Sequence, residues 1–173
     1  MKKITLLLSI IFISNILNAQ KIKEIDKITF NETEKILGDK NYKNSVQVNS
    51  YETKSGDWLK VGDTLTIGKP SNNFETNHNH IFLGTVGAMM MGTAMFGDES
   101  MTGDKIFITK IYITRLSRKN PFKAVIEFNK VGGGRFLGIK KLGRANLELA
   151  LESGEIINGN RSITREEAIA KLK

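Results

Sequence analysis

The chain has 173 residues, contains no cysteine and carries 26 lysines and arginines against 18 acids, so its formal net charge is +8. A chain without cysteine has no disulfide framework, no thiolate nucleophile, no cysteine-based zinc site and no cysteine for a lipid anchor. The length is sufficient for one domain with its own hydrophobic core.

The N-terminal residues have the pattern of a secretory signal peptide. Lys2 and Lys3 precede a mostly apolar run over residues 4–17, and Ala19 places a small residue after it. The run is shorter than the about 20 residues that span a bilayer. We therefore predict a signal peptide over 1–19, cleaved after Ala19, and an exported protein that is periplasmic or secreted.

The residues that follow predict a strand and a short helix. The strand-like run lies around residues 25–30. Asn31 and Glu34 fit a helix N-cap and its reciprocal partner, and Gly38 fits the end of the helix. A short helix is therefore predicted over Asn31–Leu37.

From residue 45 onward, apolar residues alternate with polar ones, which is typical of strands. Val46 and Val48 are predicted on one side of the first strand and Tyr51 on the other. Further strands are predicted at 58–61 and 64–67, with Gly-Asp turns before each. Short strands at this spacing predict a small β-barrel or a strongly bent sheet.

The uncharged segment 84–97 (GTVGAMMMGTAMFG) follows a predicted strand at 80–83 and contains four of the six methionines. Its residues Gly84, Ala88 and Gly92 are four apart and form a groove of small residues if the segment is helical. Three interpretations stay open: a buried loop or helical turn that covers the sheet, a hairpin that contacts a membrane, and a methionine-based metal site.

Residues 105–144 predict an antiparallel β-meander. Three runs of apolar, β-branched and aromatic residues are separated by turn signals at 120–121 and 132–134. The segment contains eleven lysines and arginines and one acid, Glu127. The positive charge of the chain is therefore concentrated in predicted strands and their turns.

The alternation within this meander predicts how its strands face the core. The phase of the apolar residues changes between Ile108 and Ile111, which predicts either a bulge near Thr109 and Lys110 or burial of both faces of this strand. One face of the next strand is predicted to pack on the core and the other to face water. The core face carries Phe122, Ala124, Ile126 and Phe128.

The C-terminal part predicts two helices. Alanine, leucine and glutamate over 144–153, with Gly154 as a C-terminal cap, predict the first, although its leucines also alternate as in a strand. Thr164 and Glu167 form a capping box for the second. Residues 162–172 (SITREEAIAKL) resemble the first half of the paired short helices, or SHOCT-type segments, that end many small exported bacterial proteins of unknown function. This resemblance implies an oligomerising or docking tail and no activity.

Together these patterns predict a mainly β, β-rich α+β fold. Its architecture is a small partly open barrel or a bent antiparallel meander with short helices, one of them C-terminal. The predicted organisation is a signal peptide at 1–19, a single β-rich domain at 20–160 and a helical tail at 161–173.

The chain offers few groups for catalysis. His78 and His80 are its only histidines, and no carboxylate adjacent in sequence orients them. The glycines at 132–134 lack the following Lys-Ser/Thr pair of a phosphate loop. We therefore predict no enzyme, no catalytic residue and no cofactor.

A copper site is one alternative. On a regular strand His78 and His80 face the same side, and the methionine thioethers nearby suit Cu(I) outside the cytosol. The competing interpretation is that the histidines are solvated and the methionines fill gaps in a core. A periplasmic Cu(I)-handling protein is thus an alternative function.

The basic meander favours an anionic partner. The predicted anion-binding residues are Lys110, Arg115, Arg118, Lys119, Lys123, Arg135, Lys140 and Lys141. A face that carries these cations attracts phosphate, carboxylate or sulfate groups, and its affinity falls with salt. The other interpretation, that the lysines only keep strand faces soluble and strand edges unpaired, stays open.

The predicted function is that of a non-enzymatic binding or envelope-structural module. Its basic face is expected to bind an anionic envelope component or an acidic protein, and export argues against nucleic acid. A membrane-apposed protein that uses segment 84–97 is a further alternative.

Overall fold

The computed structural model describes residues 24–38, 45–71, 76–84, 94–115, 119–133 and 143–159. These residues form one mixed β-sheet with a few short helices, and the sheet does not close into a barrel. The predicted mainly β fold class is confirmed. The predicted signal peptide, most of segment 84–97 and the predicted helical tail lie outside the described residues.

Ten strands of the described chain make up the sheet. The elements in chain order are β1 (Glu24–Thr29), a 3-10 turn (Phe30–Glu32), α1 (Thr33–Gly38), β2 (Ser45–Glu52), β3 (Trp58–Lys60), β4 (Thr64–Ile67), β5 (Asn77–Leu83), β6 (Met95–Asp98), a second 3-10 turn (Glu99–Met101), β7 (Lys105–Thr114), β8 (Lys123–Lys130), β9 (Gly143–Asn146), α2 (Leu147–Glu152) and β10 (Ile156–Ile157). The main strand order is β1-β2-β7-β8-β9-β5-β6, with β3 on β2, β4 on β7 and β10 on β4. The sheet is mixed because β1 runs parallel to β2.

Strand β7 is the centre of this sheet. One of its edges pairs with β8, and the other pairs with β4 over 105–107 and with β2 over 111–114. The register between β7 and β8 shifts between Ile108 and Lys110, which confirms the predicted bulge. A bulge bends its strand locally. This bulge lies between the residues of β7 that pair with β4 and those that pair with β2.

The hydrophobic core lies on one face of β7 and β8. Its members on these strands are Ile106, Ile108, Ile111, Ile113, Ala124, Ile126 and Phe128, and Phe122 packs against them from the end of the hairpin. The predicted core face of this hairpin is therefore confirmed. Burial of each large apolar side chain contributes about 1.5–3 kcal/mol. Helix α2 packs on the same core with Leu147 and Ala150.

Tyr51 corrects the predicted facing of β2. The prediction placed Tyr51 opposite Val46 and Val48, but all three side chains are buried in the core. The alternation is interrupted at Asn49 and Ser50, which are both half-buried, so Tyr51 returns to the core phase. The Tyr51 hydroxyl donates a hydrogen bond of 2.7 Å to the Glu148 carboxylate, which makes burial of this polar group tolerable.

Two element boundaries also differ from the predictions. The first helical region begins with the 3-10 turn at Phe30, and Glu32 accepts hydrogen bonds from the N–H and the hydroxyl of Thr29, so the cap is Thr29 and not Asn31. Residues 144–146 belong to β9 and not to the predicted helix, which begins at Leu147. Strand pairing with β8 and β5 overrides the helical preference of this short stretch.

Candidate anion-binding site

The only acid of the predicted basic meander, Glu127, is buried between two of its cations. Glu127 on β8 lies opposite Lys110 on β7 and opposite Arg144 on β9. The Arg144 guanidinium donates to one carboxylate oxygen, and the Lys110 Nζ lies 3.7 Å from the other. Tyr112 and Glu127 both raise the pKa of Lys110, so its ammonium stays charged. This arrangement neutralises part of the predicted basic face within the sheet.

The face of β8 opposite the core is exposed at Lys123 and Asn129, as predicted, but it is buried in its middle, so the prediction is wrong for Glu127. Val125 is 0% exposed and Glu127 is 4% exposed. The cross-strand neighbours Tyr112 and Asn146 flank Val125, and the Lys110–Glu127–Arg144 row lies beside them. Side chains paired across three strands shield the middle strand, which the alternation along one strand does not reveal.

The other cations of the described meander are not equivalent. Lys130 is in an ion pair of 2.6 Å with Asp104, which precedes β7. Of the 26 lysines and arginines of the chain, 12 lie in the described residues together with 14 of the 18 acids. The net positive charge of the chain therefore belongs to residues outside the described part.

A smaller basic group remains at the turn end of the β7–β8 hairpin. Arg115 follows β7, and Lys119 and Lys123 lie on the return towards β8, where Lys123 is opposite Thr114. Both lysines are exposed, and within the described residues neither is in an ion pair with an acid. Arg115 is half-buried and makes contacts of its own. We call Lys119 and Lys123 the hairpin lysines.

The structure brings only some of the predicted anion-binding residues together. Lys110 is four residues along β7 from Thr114, which is about 13 Å at the usual rise of a strand, and its charge faces Glu127. The remaining predicted residues, Arg118, Arg135, Lys140 and Lys141, lie outside the described residues.

A mainly apolar cleft of about 390 Å³ adjoins Lys123, one of the two hairpin lysines. Phe30 and Phe122 form its aromatic wall, with their rings edge to face and their centroids 5.8 Å apart. Leu149 of α2 and Pro121 complete the apolar lining, and Lys123 lines the same cleft. Sequence reasoning missed this cleft, because its lining residues come from separate elements that no local pattern links.

The acids of the cleft are held by groups of the chain itself. Glu148 accepts the Tyr51 hydroxyl at 2.7 Å and the Lys54 backbone N–H at 3.2 Å. Burial and this carboxylate raise the pKa of the Tyr51 phenol far above its ordinary value. Glu152 is 3.1 Å from the Lys54 Nζ. In this part of the described chain, Lys123 is thus the lining cation that no acid neutralises.

No family model matches this chain, and no curated protein or solved structure matches it. Its own residues therefore carry the inference about function.

The histidines are placed differently from the copper prediction. His78 is fully buried, and its Nε2 lies 3.0 Å from the carbonyl oxygen of Gly68, so Nε2 carries the hydrogen and donates it. His80 is half-buried on the same strand, whose register shifts between Asn77 and Phe82. The competing interpretation, that both histidines are solvated, is wrong for His78. The described residues contain no group of three or more histidines, cysteines or acids that could hold a metal ion. The Cu(I) function stays a prediction without an observation that favours it.

A buried carboxylate causes the irregularity of β5. Glu155, which is 0% exposed, accepts the backbone N–H groups of Asn79 and His80, each at 2.8 Å, and the hydroxyl and N–H of Ser71 at 2.6 and 3.1 Å. Successive N–H groups of a regular strand point in opposite directions, so two that reach one carboxylate require a bulge. This anion site is filled by the chain itself and is structural.

Proposed function

We propose that this protein is an exported, non-enzymatic module that binds an anionic envelope component through the hairpin lysines. The observation that carries the proposal is that Lys119 and Lys123 are exposed without an acid partner in the described residues, whereas Lys110, Lys130 and Arg144 are paired. The carboxylate beside a paired cation offsets the attraction of that cation for an external anion. A cation without such a partner keeps this attraction.

The location of these lysines supports surface recognition rather than catalysis. They lie at the end of a hairpin whose strands are fixed at the centre of the sheet, and recognition residues are commonly placed beside such a rigid scaffold. Their ammonium groups are strongly hydrated point charges, which suit a phosphate or carboxylate surface better than a precise bidentate site. The expected binding is consequently weak for each lysine and cumulative over several.

The test is binding to vesicles of phosphatidylglycerol and phosphatidylcholine, measured by co-sedimentation. We expect wild-type protein to bind at low salt and to dissociate as ionic strength rises from about 0.01 to 0.15 M, because the Debye length falls from about 30 to about 8 Å. A basic residue near an anionic membrane contributes about 1 kcal/mol. Lys119→Gln with Lys123→Gln should therefore weaken binding by about 2 kcal/mol, or roughly thirtyfold.

The matched control removes the same charge elsewhere. Lys60 and Lys105 are exposed lysines away from the turn of this hairpin. The double variant Lys60→Gln with Lys105→Gln should bind within about twofold of wild type. Equal losses in the two double variants would mean that only net charge matters, and the proposal for the hairpin lysines would be wrong.

A specific observation also favours contact with a membrane interior as a second candidate function. On β6, Phe96 is 48% exposed, and its ring lies 5.1 Å from that of Phe82, its cross-strand neighbour on β5. Exposed apolar residues that are grouped in this way mark interaction surfaces. The described part of the chain holds no helix with the length and apolar character needed to cross a bilayer.

This second candidate predicts vesicle binding that persists at high salt. Phe96→Ser should reduce the salt-resistant fraction about tenfold, because burial of one aromatic side chain contributes about 1.5–3 kcal/mol. Trp58→Ser is the matched control, since Trp58 is 48% exposed on a different strand. If no vesicle binding survives at high salt, this candidate is excluded.

A further inference from the structure

The cleft beside Lys123 lies between three parts of the fold. Phe30 comes from the 3-10 turn after β1, Pro121 and Phe122 come from the β7–β8 turn, and Leu149 comes from α2. Its volume of about 390 Å³ lies within the range of about 300–1,000 Å³ that ligand pockets have. The cleft therefore has the volume that a small ligand needs. Its lining combines these apolar residues and Ala124 with polar ones, which are Lys54, Lys123, Asn146, Glu148 and Glu152.

On α2, the exposure of Leu149 indicates a ligand site. The helix buries Leu147 and Ala150 in the core, whereas Leu149 remains 40% exposed and lines the cleft. Each Å² of apolar surface that a ligand removes from water is worth about 25 cal/mol. A hydrocarbon chain that lies against Leu149 and the two phenylalanines gains this contribution, and a purely ionic ligand does not.

The charges of the cleft select the head group of the ligand. The Tyr51 hydroxyl and the Lys54 backbone N–H donate to Glu148, and the Lys54 Nζ forms an ion pair with Glu152, so both acids have partners within the protein. Lys123 lines the same cleft and has no acid partner in the described residues. A cation at one side of an apolar cleft complements a molecule with one negative head and a hydrocarbon chain.

We infer that the cleft binds an anionic amphiphile, a molecule with a hydrocarbon chain and a single carboxylate or phosphate head. The chain lies between Phe30, Phe122 and Leu149, and the head lies at Lys123. This inference rests on the proposed function, because Lys123 belongs to both, and it narrows the anionic component to one that carries an acyl chain.

The test uses decanoate as the probe and the full-length protein. Binding is measured by calorimetry at a pH where the carboxylate is ionised, and acetate and 1-decanol report the head and the chain alone. Decanoate should bind at least tenfold more tightly than either. Lys123→Gln should weaken decanoate binding about tenfold and leave 1-decanol binding unchanged, whereas Leu149→Gln should weaken both several-fold.

Control measurements separate an effect of the cleft from a loss of folding or a general change of the surface. Glutamine is a good helix former, so Leu149→Gln should keep the thermal midpoint of wild type, which circular dichroism checks. Lys105→Gln and Ile157→Gln change an exposed lysine and an apolar residue that is 50% exposed, away from the cleft, and should leave decanoate binding unchanged.

Decanoate that binds no more tightly than acetate, or that binds the Leu149→Gln variant like wild type, overturns the inference. Vesicle binding that still depends on the hairpin lysines would then show that the proposed function stands without the cleft. Loss of the vesicle effect together with intact decanoate binding would instead remove the surface proposal and leave the cleft as a site for free amphiphiles.

Discussion

Glu127→Ala should lower the free energy of unfolding by about 3–5 kcal/mol, because it leaves a buried guanidinium without its counter-charge. Glu127 is 4% exposed and Arg144 is 8% exposed, and the Arg144 Nε has no hydrogen-bond partner. The carboxylate is therefore the group that makes burial of Arg144 tolerable. Urea denaturation measures the loss as a shift of the midpoint at unchanged slope.

The neighbouring lysine provides the control for this prediction. Lys110 contacts the same carboxylate at 3.7 Å, but its side chain is 48% exposed. Lys110→Ala should cost less than about 1 kcal/mol, as is usual for exposed ion pairs. A second comparison is Glu127→Leu with Arg144→Leu, which should recover most of the stability lost in Glu127→Ala. Equal costs for Glu127→Ala and Lys110→Ala would contradict this account of the pair.

This ion pair also bears on the proposed function. Arg144 and Lys110 contribute to the positive charge that the sequence concentrates in residues 105–144, yet both face Glu127 inside the sheet. Cations held in this way stabilise the fold and have little attraction left for a partner. The hairpin lysines differ because Lys119 lies in the turn and Lys123 lies opposite Thr114 at the start of β8, so neither is opposite an acid. Position relative to an acid, and not the number of cations, decides which of them can recognise an anion.

The parts of the fold that local sequence determines could be predicted. Strand β4 has the predicted bounds Thr64–Ile67. It begins after a turn at Gly62, whose φ of 97° is accessible to glycine and strained for other residues. The bulge in β7 was visible because a one-residue change of phase in an alternating pattern requires it. Both signals lie within a few neighbouring residues.

The features that local sequence did not reveal depend on distant partners. Tyr51 faces the core with its hydroxyl on Glu148, which is 97 residues away along the chain. Glu127 alternates like a solvated strand residue, but Lys110 and Arg144 enclose it. No pattern within β2 or β8 contains these partners, so alternation alone misplaced Tyr51 and Glu127.

The candidate site also has one part that the sequence predicted and one part that it did not. Clustering of lysines near residue 120 was evident from the sequence, and the structure keeps Lys119 and Lys123 at one end of the hairpin. The cleft joins Phe30, Phe122 and Leu149, which come from three separate elements. A juxtaposition of this kind needs the sheet order, and the sequence contains no motif that specifies it.

The second large effect concerns Glu155, whose carboxylate holds the loop before β5 and the start of that strand. Glu155→Ala leaves the N–H groups of Ser71, Asn79 and His80 without their acceptor. An unsatisfied buried donor costs about 1–3 kcal/mol. Because these three N–H groups are only partly buried, we expect a total loss in this range in the free energy of unfolding. Glu152→Ala is the control, because Glu152 is exposed and pairs with an exposed lysine, and it should cost less than about 1 kcal/mol.

The pKa of Glu155 predicts the direction in which its contribution to stability changes with pH. Burial raises the pKa of Glu155, but the hydrogen bonds from Ser71, Asn79 and His80 outweigh it and hold the pKa below its ordinary value. A carboxyl whose pKa is lower in the folded state stabilises the fold above the unfolded pKa, and this contribution disappears as pH falls through the folded pKa. The stability difference between wild type and Glu155→Gln should therefore be constant near neutral pH and should shrink below about pH 4. If the stability difference between the two proteins stays constant down to pH 2, which is ~2 units below the pKa of free glutamate, the carboxylate charge does not hold these three N–H groups.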